Sequence, residues 1–119
     1  MRKIFVLSMI LGIFISCNTF LYKKINVNIS NNYEEIIIKN ETGKYVHGLY
    51  CKIDGIINGH LEIEFTNGEN LSKKIIPENG IIEFIYEGDW YADEFIIKIL
   101  PNENTNGYIN IIYIFKIIP

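Results

Sequence analysis

Arginine and alanine are almost missing from this 119-residue chain: Arg2 is the only arginine and Ala92 the only alanine. The lack of guanidinium groups argues against a nucleic-acid partner, because phosphate binding draws on clustered cations and favours the bidentate fork of arginine. The lack of alanine, and of apolar residues at helical spacing, argues against a helical domain. Cysteine occurs only at positions 17 and 51, histidine only at 47 and 60, and tryptophan only at 90. So few thiols and imidazoles leave little room for nucleophilic catalysis or a zinc site, and no cofactor is expected. Isoleucine, tyrosine and phenylalanine are abundant instead, a mix that favours strands.

The first residues differ from the rest. Arg2 and Lys3 precede an uncharged apolar run from Ile4 to Ile15, the pattern of an export signal. The run holds about a dozen residues, short of the roughly 20 that a spanning helix needs. Its end, Phe14-Ile15-Ser16-Cys17, resembles the lipobox of bacterial lipoproteins, in which a small residue precedes a cysteine that is acylated before cleavage. Phe14 departs from the Leu or Val usual at its position. The resemblance covers residues 1–17 only. It implies a signal peptide over 1–16, lipidation of Cys17, a tether over 17–20 and a single domain over 21–119, held on a bacterial envelope membrane by its acyl chains. A plain secretory signal, giving a secreted or periplasmic protein, and an uncleaved anchor are the alternatives.

Removing residues 1–16 leaves 103 residues, enough for one core and too few for two. Nine lysines then face fourteen acids, a net charge of about −5. With Cys17 acylated, Cys51 has no partner in the chain and is expected as a small buried hydrophobe in a strand.

Alternation and turn residues place strands near 21–29, 34–39, 44–54, 61–65, 71–76, 81–86, 94–100 and 108–116. In the third, Tyr45, His47, Leu49, Cys51 and Ile53 are expected on one face, and Asp54-Gly55 to Asn58-Gly59 reads as a connection. The last strand has isoleucines at both alternating positions and is expected to be central and covered on both sides. About eight strands at this rhythm predict an all-β fold, an antiparallel sandwich of Greek-key or jelly-roll style, with an up-and-down barrel as alternative.

Three constellations bear on function. His47, Cys51 and His60 have no recognised zinc spacing and are read as a packed strand face with a histidine on a turn, so no metal is assigned. Ser30 and Ser72 sit at turns without a nucleophile motif. Asp89, Trp90, Tyr91 and Asp93 form an aromatic stretch between acids. It is read either as a core plug with solvated flanks or as a ligand or partner contact. Calcium at Asp89, Asp93, Asn102 and Glu103 requires two acidic loops at the same end of the fold. Together these features predict a noncatalytic envelope lipoprotein that binds a protein or a surface glycan through loops near Trp90. An immunity-type lipoprotein that neutralises a toxin is the second reading, and a small envelope enzyme the third.

Overall fold

A computed structural model describes residues 22–118, and residues 2–6 by their backbone alone. The expectations for the cleavage site, Cys17 and the tether lie outside the described residues. Among the described residues nine strands run β1 (Arg2–Val6), β2 (Lys23–Ile29), β3 (Glu34–Lys39), β4 (Val46–Asn58), β5 (Leu61–Thr66), β6 (Ser72–Ile75), β7 (Ile81–Asp89), β8 (Glu94–Pro101) and β9 (Asn106–Ile117). Strand β1 lies parallel along the edge of β3, with Arg2 opposite Glu34 and Val6 opposite Ile38. The other eight form two antiparallel sheets of four, β3-β8-β5-β6 and β2-β9-β4-β7.

Sequence neighbours do not decide this order. β5 and β6 make a local hairpin; β4 then pairs with β7, β3 with β8, and β2 with β9. The chain is one long hairpin folded over on itself, the winding of a jelly roll, so the expected sandwich is the fold formed and the up-and-down barrel is not.

Alternation puts one face of every strand inside. Val27 and Ile29, Leu49, Cys51 and Ile53, Ile82, and Ile109, Ile111 and Tyr113 come from the second sheet. Ile36 and Ile38, Leu61, Ile63 and Phe65, Ile75, and Phe95, Ile97 and Ile99 come from the first. Burying a large apolar side chain contributes about 1.5–3 kcal/mol, so these rows supply most of the driving force for the fold.

The nested pairing sorts the connections between two ends. The near end carries the start of β2, the end of β9, and the loops at 40–45, 67–71 and 90–93. The far end carries the loops at 30–33, 59–60, 76–80 and 102–105. At the far end Thr105 ties three loops together: its N–H donates to Asn31 Oδ1 at 2.8 Å, and its hydroxyl proton lies between the carbonyls of His60 and Asn102, at 2.7 and 2.9 Å from its oxygen. At the near end the Asn40 N–H donates to the Asp93 carbonyl, which joins the 40–45 and 90–93 loops.

Strand β4 corrects two expectations. Its register with β9 shifts between Val46 and Gly48, so His47 is an extra residue. A bulge of this kind advances the alternation by one, and Val46 rather than Tyr45 or His47 joins Leu49, Cys51 and Ile53 inside. Nor does β4 turn at Asp54-Gly55; it continues paired to Asn58. Gly55 serves close approach and not a turn, because a Cβ there would overlap the Tyr108 carbonyl oxygen of β9. Strand β9 corrects a third. It is central, between β2 and β4, but Ile112 and Ile114 on its outer side are only half-buried and Tyr108 is exposed. Among the described residues, no element packs over that side.

Candidate functional site

The outer faces of the two sheets differ in chemistry. On the first sheet, Glu35, Lys98, Glu64 and Lys74 lie side by side across four strands, and Lys74 pairs with Glu62 at 3.7 Å. Of its apolar residues, Ile37 is half-buried, Leu100 is exposed, and Ile96 is covered by the 67–71 loop, where Gly68 stands against the Ile96 side chain. That loop is held down by the Thr66 hydroxyl, which donates to the Leu71 carbonyl at 2.6 Å and accepts from the Gly68 N–H. This face is solvated by alternating charge.

The second sheet turns outward a face on which isoleucines and tyrosines stand among polar residues. The registers align Asn28, Tyr108, Ile56 and Ile81 in one row across β2, β9, β4 and β7. The next row is Asn26, Asn110, Asp54 and Glu83, and the one after it Lys24, Ile112, Lys52 and Ile85. Beyond these lie Ile114, Tyr50 and Glu87, with the Tyr22 ring edge-on to Tyr50 at 5.6 Å. Ile56, Ile81 and Ile85 are each more than half exposed. Ile56, Ile81 and Tyr108 are neighbours in one row, and Ile85 follows on edge strand β7 beyond the polar row; apolar side chains grouped open to water mark an interaction surface. The polar row between the apolar ones is ordered: Asn110 Nδ2 donates to Asp54 Oδ1 at 3.2 Å, and Lys52 lies 3.7 Å from the other Asp54 oxygen. Charges of both signs nearly cancel on this face, so its attraction is for apolar surface.

The residues expected near Trp90 divide between core and surface. Trp90 is 4% exposed and lies among the rings of Phe65, Tyr86 and Phe95 at 5.4–6.5 Å, its Nε1 donating to the Glu94 carbonyl. Burial takes its ring away from any ligand and closes the near end of the core. Tyr91 is exposed; the Asp89 carbonyl accepts from Tyr86 Oη at 2.7 Å, and Asp93 accepts from Asn40 Nδ2. With the indole inside, Tyr91 is the exposed ring of this loop.

The other constellations are not brought together. His47 and His60 flank opposite ends of β4, about 40 Å apart at the rise of an extended strand, and Cys51 faces the core between them. Asp89 and Asp93 lie at the near end, and Asn102 and Glu103 at the far end, which removes the shared loop cluster that calcium requires. Among the described residues, no group of three His, Cys, Asp or Glu side chains converges. Ser72 spends its hydroxyl on Glu64 Oε2 at 2.6 Å. A groove of about 710 Å³ at the far end, lined by His60, Glu62, Ile76, Pro77, Leu100 and Asn102, holds an imidazole and a carboxylate but no nucleophile.

Burial pushes the Cys51 thiol from 9.0 up to about 12. Burial likewise lowers the Lys23 pKa against an opposing pull from Glu41, and raises that of Tyr33, with Glu35 adding to the rise. A thiol with no thiolate at neutral pH and no exposed surface does not react. Cys51 is therefore expected to resist a water-soluble disulfide reagent in the folded protein at pH 8 and to react at once in denaturant; rapid native-state labelling would contradict its placement. Because the folded pKa is the higher one, the thiol's share of stability is complete below about pH 9 and is lost as pH rises from there to about 12.

The apolar outer face went unread in the sequence, although a signal for it exists. Isoleucine doublets at 56–57 and 81–82, and the run 111–112, put an apolar residue where alternation calls for a polar one. Compared with known proteins, the chain matches no family model and no curated protein.

Proposed function

We propose that this chain is a noncatalytic bacterial envelope lipoprotein, anchored through acylated Cys17, whose jelly-roll domain binds another protein across the outer face of β2-β9-β4-β7. The signal-like start and the Ser16-Cys17 junction support the anchor. One observation carries the binding reading: Ile56, Ile81, Ile85 and Tyr108 stand exposed on a rigid sheet while the opposite face is charged. A protein is favoured over a glycan because the face offers aliphatic side chains and the indole is buried. Removal of residues 1–16 takes β1 from the edge of β3 and leaves all eight strands of the two four-stranded sheets.

Photo-crosslinking in the producing cell tests this. A benzophenone side chain in place of Tyr108 or Ile85 is expected to give a discrete adduct with a second protein, and the same group in place of Glu64 or Lys98 to give none. Absence of adducts from the first pair, or equal adducts from both faces, overturns the reading.

A further inference from the structure

The near end of the fold collects the most exposed tyrosines. Tyr45 is 83% exposed, Tyr91 75% and Tyr22 58%, and all three are at this end, with Ile118 beside Tyr45 through an Ile118 N–H bond to the Tyr45 carbonyl at 2.9 Å. These rings stand on a fixed frame. Trp90 is wedged in the core directly before Tyr91, and the backbone and side chain of Asn40 bind Asp93 just after it. Tyr22 leads directly into β2 and packs on Tyr50. A phenol with an apolar body and a polar tip suits the level of lipid headgroups, where tyrosine is enriched.

Chain length limits where this end can be. From Cys17 to Tyr22 there are five residue steps, which reach at most about 18 Å when fully extended. The far end is a further strand length away, about 25 Å at the rise of β8. An acylated Cys17 therefore keeps the near end within about 18 Å of its anchor, and what that end presents to the bilayer decides how the domain stands.

We propose that Tyr22, Tyr45, Tyr91 and Ile118 seat the near end in the headgroup layer, so that the domain stands upright with β2-β9-β4-β7 facing sideways along the membrane. This rests on the reading of Cys17 as acylated. Lys23, Lys39 and Lys44 at this end are offset by Glu41, Asp89, Asp93 and Glu94, so the seat depends on the tyrosines and not on anionic lipid. It also explains how a short tether serves a lateral binding face: the apolar rows are presented to a partner standing on the same membrane.

The full lipidated chain, reconstituted in phosphatidylcholine vesicles with and without phosphatidylglycerol, provides the test. A thiol placed by Tyr91→Cys or Tyr45→Cys, or at the far end by Glu103→Cys, is labelled with an environment-sensitive nitrobenzoxadiazole dye, while buried Cys51 stays unlabelled. The near-end dyes are expected to shift to the blue, to brighten two-fold or more and to be quenched by headgroup-level doxyl lipid to the same extent in both vesicle types. The far-end dye is expected to keep its emission in water. Mass spectrometry of the same preparation reports acylation of Cys17. Acylated protein whose near-end dyes remain in water overturns the seating and leaves the anchor standing; protein without the acyl group overturns both.

Discussion

Replacing Trp90 with alanine is expected to lower the unfolding free energy by about 3–5 kcal/mol, a large part of what a domain this size possesses. The indole touches the rings of Phe65 from β5, Tyr86 from β7 and Phe95 from β8, so it bridges the two sheets where the near end would otherwise be open. Phe65 is fully buried and also meets Phe84, so the surrounding rings cannot swing in to fill the void without leaving their own contacts. A cavity that cannot collapse gives the upper part of the range. Trp90→Phe keeps most of the volume and leaves the Glu94 carbonyl without its indole donor, a loss of about 1 kcal/mol for that bond. Urea titrations followed by far-ultraviolet circular dichroism check both, since the chain has no second tryptophan to report by fluorescence. A Trp90→Ala midpoint within 0.5 M of the parent, equivalent to about 1 kcal/mol at a typical slope, would show that the ring is not the plug its burial indicates.

The crosslinks at Tyr108 and Ile85 separate stability from binding. In Trp90→Phe they are expected to persist, because the face they report lies on the other side of the second sheet from the core. The Trp90 neighbourhood thus acts on function only by holding the near end in shape.

Strand positions were legible because period-two alternation is a local signal. Strand β3 falls at 34–39 as expected, and β5, β6 and β8 lie within a residue or two of theirs. Three features escaped for distinct physical reasons. The bulge at His47 is a property of pairing between β4 and β9, about 70 residues apart at that point, and Gly48 is the one local sign of it. Gly55 follows an aspartate, the signature of a turn, yet it is glycine because another backbone comes too close for a Cβ. Strand order is set by which apolar rows stack across the core, a long-range choice that the alternation of any one strand leaves open. The candidate site was lost with it. Ile56, Ile81, Ile85 and Tyr108 form a face only once β9, β4 and β7 are neighbours, while Trp90, conspicuous in the sequence as a lone indole between acids, is inside.

Gly107→Ala is expected to be the most damaging single-methyl change among the described residues. Gly107 holds φ at 137°, where an L side chain is strained by about 1–3 kcal/mol, and a Cβ there would also overlap the Ile56 carbonyl oxygen. Gly55 meets the same two strands from the other side: its Cβ would overlap the Tyr108 carbonyl and lie 2.8 Å from the Ile109 Cα. The obstacles are backbone in the central β4–β9 pair, so relief requires the strands to part, at a further cost of about 1–3 kcal/mol. Gly43 separates the two effects. Its φ is 77°, and nothing lies within 4 Å of the Cβ position, so Gly43→Ala carries only the backbone term, about 1–2 kcal/mol. Urea midpoints should fall in the order Gly43→Ala, then Gly55→Ala, then Gly107→Ala as the least stable, and a Gly107→Ala midpoint no lower than that of Gly43→Ala would contradict the close approach of β4 and β9. Because Ile56 and Tyr108 are the outward neighbours of these glycines, the same close approach fixes the spacing of the apolar row. Gly55→Ala should therefore weaken the Tyr108 crosslink even in the fraction that remains folded, while Gly43→Ala leaves it intact.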